Sequence, residues 1–258
     1  MKLNLHEKRV LITGSSRGIG LAISEAFLEE GARVTLTSRH QSDLDQLKNT
    51  LSQRFVQSSI LALACEFTDI ERIRKLKEQI NLTWKGLDIL IINLGSGKSV
   101  SEPIPSIENF ERIFQVNFDS AINTSREFYS LIKESRGSIL FIASIAGVEV
   151  TGAPTDYSVA KSALIAYSKN LARKAARDGV RVNCIAPGNI YFDGGTWEEK
   201  VKADPERIQR LIETTVPLHR FGKPEEIAAA VAFLASERSS FTTGACLIID
   251  GGQTARIF

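Results

Sequence analysis

The sequence predicts an α/β fold, one domain built on a parallel sheet with helices packed on both faces. Seven short apolar runs alternate with longer amphipathic segments along the chain. The runs are almost continuously apolar, as in Val10–Ile12 and Ile89–Ile92, which marks strands covered on both sides. No Pro/Gly/Ser-rich linker and no internal repeat interrupts them, so the 258 residues read as a single domain with a large core.

In chain order, the expected strands are Arg9–Thr13, Arg33–Thr37, Ile60–Ala64, Asp88–Asn93, Ser138–Ala143, Val180–Ile185 and Cys246–Ile249. Helices are expected at Gly18–Glu30, Ser42–Phe55, Asp69–Thr83, Ile107–Glu134, Thr155–Arg177 and Pro224–Ser236. The segment Gly194–Phe221 departs from the alternation and adds about one further helix, expected over Glu198–Thr214 with Pro205 near the start of its stronger half. It follows the strand that ends at Pro187-Gly188, at the carboxyl edge where open α/β sheets bind ligands. Gly194-Gly195 can act as a hinge there, so a mobile lid is expected at about residues 190–221. Trp197 follows the glycines, either as a substrate contact or as an anchor of the lid to the core.

Composition excludes several classes. Hydrophobic content of 43%, charged content of 24% and a net charge of +2 are ordinary for a globular protein and give no support for nucleic-acid or membrane binding. No run of 18 apolar residues appears, and the start runs straight into a strand, so a cytoplasmic location is expected. Cys65, Cys184 and Cys246 lie in or beside apolar runs without CxxC spacing and read as core thiols. His6, His40 and His219 are too scattered to make a metal site, and none is expected.

The first strand–helix junction reads Thr13-Gly14-Ser15-Ser16-Arg17-Gly18-Ile19-Gly20. Glycines here permit a tight turn, close approach of the backbone to a pyrophosphate, and close helix–strand packing. The helix that follows presents free N–H groups and its positive dipole end. The second strand ends at Ser38-Arg39, without the acidic residue that holds a ribose 2′-hydroxyl. Arg17 and Arg39 converging there would suit a 2′-phosphate, although either arginine is also consistent with a solvated surface position.

A third constellation carries acid–base chemistry. Tyr157 and Lys161 at i and i+4 share one helix face, and an ammonium near a phenol lowers the phenol's pKa. Ser144 follows the apolar run Ile139–Ile142, where its hydroxyl can bond the same substrate oxygen. Asn117 interrupts the helical pattern of Ile107–Glu134, and a kink there could position a water between Lys161 and solvent.

Together, TGSSRGIG, Asn93-Leu94-Gly95, Asn117, Ser144, Tyr157–Lys161, Pro187-Gly188 and Asp250-Gly251-Gly252 resemble the short-chain dehydrogenase/reductase family over essentially the whole chain. The resemblance implies a Rossmann-type, doubly wound sheet of seven strands in the order 3-2-1-4-5-6-7, and a catalytic tetrad of Asn117, Ser144, Tyr157 and Lys161. It also implies that Glu66 lies at the adenine, that Asn93 and Gly95 lie under the cofactor, that the backbone of Ile190 binds the carboxamide after the chain break at Pro187-Gly188, and that Phe67, Pro187 and Gly188 are further cofactor contacts. Ile92, Leu94, Glu66 and Phe192 depart from the common pattern, Phe192 replacing a threonine that often contacts the cofactor.

The expected function is NADP(H)-dependent hydride transfer between nicotinamide and a ketone or secondary alcohol, with NADP(H) preferred over NAD(H). The pattern is most similar to 3-oxoacyl-carrier-protein reductases, so a small-molecule or carrier-bound carbonyl is the expected substrate. A sugar, polyol or other small-ketone reductase is the alternative, and a non-catalytic NADP-binding regulator the rival from another class. Phe114, Phe118, Phe128, Leu164, Tyr167 and Leu171 exceed what one sheet contact needs, and a homotetramer is expected from them.

Overall fold

The apolar runs pair as seven parallel strands: β1 (Arg9–Ile12), β2 (Arg33–Ser38), β3 (Ile60–Ala64), β4 (Ile89–Ile92), β5 (Ser138–Ile142), β6 (Arg181–Pro187) and β7 (Cys246–Ile249). Their order in the sheet is β3-β2-β1-β4-β5-β6-β7. These positions come from a computed structural model, which describes residues 2–100 and 102–256. Because side chains alternate across each strand, one sequence run supplies two cores. Val10, Ile12, Ile89, Ile91, Leu140 and Ile142 face one layer of helices, α1 (Gly18–Glu29), α2 (Gln41–Leu51) and α9 (Pro224–Ala235). Leu11, Leu90, Ile92, Ile139 and Phe141 face the other, formed by α3 (Ile70–Trp84), α5 (Ser120–Glu134) and α6 (Thr155–Ala175).

The expected helix over Ile107–Glu134 is one continuous rod with a fault in it. α4 (Ile107–Phe114) runs into a π turn at Gln115–Asp119 and then into α5. Asn117 sits inside the wide turn, where its amide nitrogen donates to the carbonyl of Ile113, 3.0 Å away. A side-chain donor that competes for a helix carbonyl is a physical reason for a local register change.

The lid differs from expectation in its number of helices. α7 (Thr196–Ala203) and α8 (Pro205–Thr215) replace the single one expected. Asp204 separates them at φ −154°, and its carboxylate caps α8 by accepting from the Arg207 N–H. Pro205 cannot continue a helix from before it but fits the first position of a new one. The lid's two ends meet in a single bridge between Ile190 and Gly222.

The aromatic residues also divide differently. Phe128 and Leu164 are fully buried and belong to the ordinary core. Phe110, Phe114, Phe118 and Tyr167 form a ladder with ring centroids 4.9, 5.8 and 6.3 Å apart, ending on Phe141. Phe118, Tyr167 and Leu171 pack partly buried against the core. The excess apolar surface is instead Ile107, Phe110 and Val159, all exposed on the faces of α4 and α6.

Candidate active site

All strands end at the same edge, so the loops that follow β1, β2, β4, β5 and β6 gather there. The β1–α1 turn is built for a close approach. Gly14 and Gly18 have φ of +62° and +55°, where a side chain is strained. A Cβ on Gly20 would lie 2.2 Å from the Gly14 carbonyl oxygen, so only glycine lets α1 begin against β1. Neighbours fix the turn: the Asn93 amide donates to the Gly14 carbonyl (3.1 Å), and Thr37 accepts from the Gly14 N–H (3.1 Å). The start of α1 has no side-chain cap, leaving its first N–H groups, at Gly18, Ile19 and Gly20, without a side-chain acceptor. Ser16 lies half-buried in this turn. Uncapped donors beside a side-chain-free bend fit a dinucleotide's pyrophosphate, so the residues present suit a nicotinamide cofactor.

Arg17 donates to the Gly194 carbonyl of the lid at 2.8 Å, a partner 177 residues away. Arg39 stands exposed at the end of β2, and the Ser38 hydroxyl closes the bend by bonding the His40 carbonyl at 2.8 Å. Near it, Glu66 accepts from the Thr68 hydroxyl (3.0 Å) and Phe67 is buried.

Asn117, Ser144, Tyr157 and Lys161 do come together, at the ends of β4 and β5. Gly147 sets the spacing between the serine loop and α6. A Cβ there would lie 2.5 Å from the Lys161 backbone carbonyl carbon, and the Ser162 hydroxyl donates to the Gly147 carbonyl at 2.8 Å. Ser144 itself caps the short turn Ile145–Gly147 by accepting from the Ala146 N–H. Gly95 performs the same service for β4: a Cβ there would lie 2.8 Å from both the Asn117 Oδ1 and the Lys161 Nζ. The Asn117 side chain is committed to the Ser96 backbone, accepting from its N–H and donating to its carbonyl at 3.1 Å each.

Lys161 is buried, and its ammonium donates to the carbonyls of Leu94 and Ile142, 3.2 Å each. Burial pushes its pKa down to about 8. Its nitrogen lies 5.9 Å from the centroid of the Tyr157 ring. The tyrosine differs from expectation: burial raises the phenol's pKa, while the Ser144 hydroxyl acts in the opposite direction. The structure therefore holds Tyr157 protonated. The Lys161 ammonium gives its hydrogen bonds to two carbonyls.

On the far side, Gly188 packs against Asp250 and donates its N–H to the Ile249 carbonyl (2.9 Å), which bends the chain after Pro187. Ile190 is buried at the base of the lid. Trp197 packs on Phe221 at 5.3 Å and lies under the Lys200 ammonium at 4.4 Å, so its ring contacts are within the lid. Phe192, singled out for its departure from the family pattern, lays its ring over Gly18, 2.6 Å from where a Cβ would stand. The lid's ties to Arg17 and to Lys98, whose ammonium pairs with Glu199 at 2.7 Å, were not anticipated. Contacts across such sequence separations leave no local signal.

The lysine's burial has a consequence for stability. Below about pH 8 the ammonium is charged in both folded and unfolded chains, and the fold bears its desolvation. Between about 8 and the ordinary lysine value of 10.5 the folded chain has released a proton that the unfolded chain keeps, so this group makes stability rise with pH. Lys161→Met should therefore stabilise the fold at pH 7 by about 1–3 kcal/mol, with the gain shrinking as pH approaches 10. Denaturant melts at both pH values check this, and a loss of stability at pH 7 contradicts it.

Comparison with known proteins agrees with the geometry. A family model described as enoyl-(acyl carrier protein) reductase matches residues 14–254. A 3alpha-hydroxysteroid dehydrogenase of Mediterraneibacter gnavus is 32% identical over 97% of this chain and 98% of its own length. A tropinone reductase homologue of Arabidopsis thaliana is 34% identical over 99% and 94%. The crystal structure of L-sorbose reductase from Gluconobacter frateurii, complexed with NADPH and L-sorbose, superposes with a TM-score of 0.93 at 31% identity, covering both chains fully. With its parallel sheet, its glycine turn and the serine, tyrosine and lysine at one edge, the chain belongs to the short-chain dehydrogenase/reductase family of oxidoreductases.

Proposed function

We propose that the protein is an NADP(H)-dependent reductase of a small ketone or sugar, able to run the alcohol oxidation in reverse. The observation that carries this reading is the gathering of Ser144, Tyr157 and Lys161 at one sheet edge, with the buried Lys161 ammonium 5.9 Å from the centroid of the Tyr157 ring. When bound, a nicotinamide cofactor supplies the hydride. The protein's part is to place and protonate the oxygen. Tyr157 donates its proton to the carbonyl oxygen as negative charge develops there, and the Ser144 hydroxyl donates a second hydrogen bond to the same atom. The Lys161 charge favours the phenolate left behind. Asn117, through its grip on Ser96, keeps the β4–α4 loop and the π turn beside Lys161.

Ser38 without an acid, and Arg39 free at the strand end, support a preference for the 2′-phosphate of NADP(H). Arg17, whose guanidinium gives one N–H to Gly194 and has further donors, is assigned to the same recognition. Glu66 and Phe67 are assigned to the adenine end, and Asn93, Gly95, Pro187, Gly188 and Ile190 to the nicotinamide end. The L-sorbose reductase neighbour favours a small free ketone, whereas the family description favours a carrier-bound acyl substrate. Trp197, packed on Phe221, is assigned to substrate choice through the lid that it anchors.

Tyr157→Phe should lower kcat by about 10²-fold or more while binding NADPH as wild type does. NADPH should bind about tenfold or more tighter than NADH, a difference that Arg39→Ala reduces. Fluorescence titrations of both cofactors and turnover across a panel of ketones, sugars and acyl-carrier substrates read all of this. A Tyr157→Phe variant with wild-type kcat, or equal cofactor affinities, overturns the corresponding assignment.

We also propose assembly through the exposed Ile107, Phe110 and Val159 as a homotetramer. Light scattering at micromolar concentration should give a mass near four chains, and a monomer contradicts it.

A further inference from the structure

A fully buried carboxylate lies one residue ahead of Tyr157. Asp156 is the second residue of α6, and its partners are two hydrogen-bond donors, neither of them a cation. Its Oδ2 accepts from the Ser99 hydroxyl at 2.5 Å, and its Oδ1 accepts from the backbone N–H of Tyr157 at 2.7 Å. Removing a carboxylate from water is unfavourable, so its place needs a reason.

The helix start supplies one half of it. α6 follows Pro154, which offers no side-chain cap, so the first N–H groups of the helix lack acceptors. Asp156 provides one to the tyrosine's own amide, and its charge suits the positive end of the helix. Without it, the turn that bears Tyr157 is free to fray.

Ser99 supplies the other half. It lies in the β4–α4 loop, whose next residue toward β4, Lys98, pairs with Glu199 of α7 at 2.7 Å. Arg112 of α4 donates to the Lys98 carbonyl at 3.2 Å. A line of contacts thus runs from the lid helix through Lys98 and Ser99 to Asp156, and ends on the residue assigned as proton donor.

We propose that Asp156 is a positioning residue for Tyr157, fixing the first turn of α6 and the β4–α4 loop against each other. The phenol then keeps its place beside Ser144 when the loop and lid are seated. This rests on the reading of Tyr157 as proton donor. Its effect is geometric: a small displacement of a reacting group lowers rate far more than it lowers stability.

The experiment compares wild type with Asp156→Ala, Asp156→Asn and Ser99→Ala by kcat, KM, NADPH titration and amide hydrogen exchange. Asp156→Ala should lower kcat about tenfold or more, hold the NADPH Kd within about twofold, and speed exchange at the Tyr157 amide. Asp156→Asn, which keeps an oxygen acceptor of the same shape, should recover most of the rate. Ser99→Ala should raise KM for the carbonyl substrate and speed exchange over the same turn. If Asp156→Ala does not fold, Ser99→Ala and Asp156→Asn decide the matter by the same readings. Unchanged exchange at Tyr157 in Asp156→Ala or Ser99→Ala, a kcat of Asp156→Ala within about twofold of wild type, or an asparagine variant as impaired as the alanine one overturns the proposal. A wild type that turns over no carbonyl sinks the proposed function instead, and the exchange data still judge Asp156 separately.

Discussion

A single buried ammonium connects the elements of the proposed catalytic edge, at a cost in stability. Lys161 reaches from the middle of α6 to the carbonyls of Leu94 and Ile142, which follow β4 and close β5. Three elements distant in sequence are thereby joined at one atom. Among the described residues no carboxylate bonds the ammonium, and burial leaves its proton loosely held, with a pKa of about 8. That combination suits a group that must be cationic at neutral pH yet responsive to a phenolate appearing one turn away.

Close backbone approaches make this arrangement possible. Gly147 lets the serine loop lie directly on the Lys161 backbone, and Gly95 leaves room for the ammonium and the Asn117 oxygen together. Gly20 plays the same part between β1 and α1. At each of these positions a methyl group would lie less than 3 Å from a backbone atom or from a side chain that the site uses. The chemistry therefore depends on main-chain packing as much as on the side chains that perform it. The lid is organised differently: it closes on itself through Trp197 and Phe221 and meets the rest of the molecule through Arg17 and Lys98.

Most of the frame was legible in the sequence because strands buried on both faces cannot alternate. Expected strands begin and end within two residues of those observed. Ser144, Tyr157 and Lys161 were legible through the spacing of one helix and one strand end. The break at Asp204-Pro205 was visible only as a proline near a stronger half-helix, since a proline at N1 reads the same within one helix start as between two helices. The bond from Arg17 to Gly194 left no local signal, because its partner lies 177 residues away and is a carbonyl, which has no residue type to notice. The raised phenol was missed for a related reason. Burial and the direction of the lysine's hydrogen bonds are tertiary facts, and spacing alone reports only proximity. Asp156 carries no signal in the sequence, since its burial and its bond to Ser99 are tertiary facts.

The account stands on hydride transfer to a carbonyl at the edge formed by Ser144, Tyr157 and Lys161. The most direct measurement uses NADPH deuterated at nicotinamide C4, on each face in turn, with ketones that the wild type consumes. Mass spectrometry of the alcohol should show deuterium on the carbinol carbon from one face only, and none in the Tyr157→Phe control over the same interval. Cofactor that binds but transfers no deuterium to any ketone, sugar or acyl substrate would contradict the account and leave a nucleotide-binding regulator in its place.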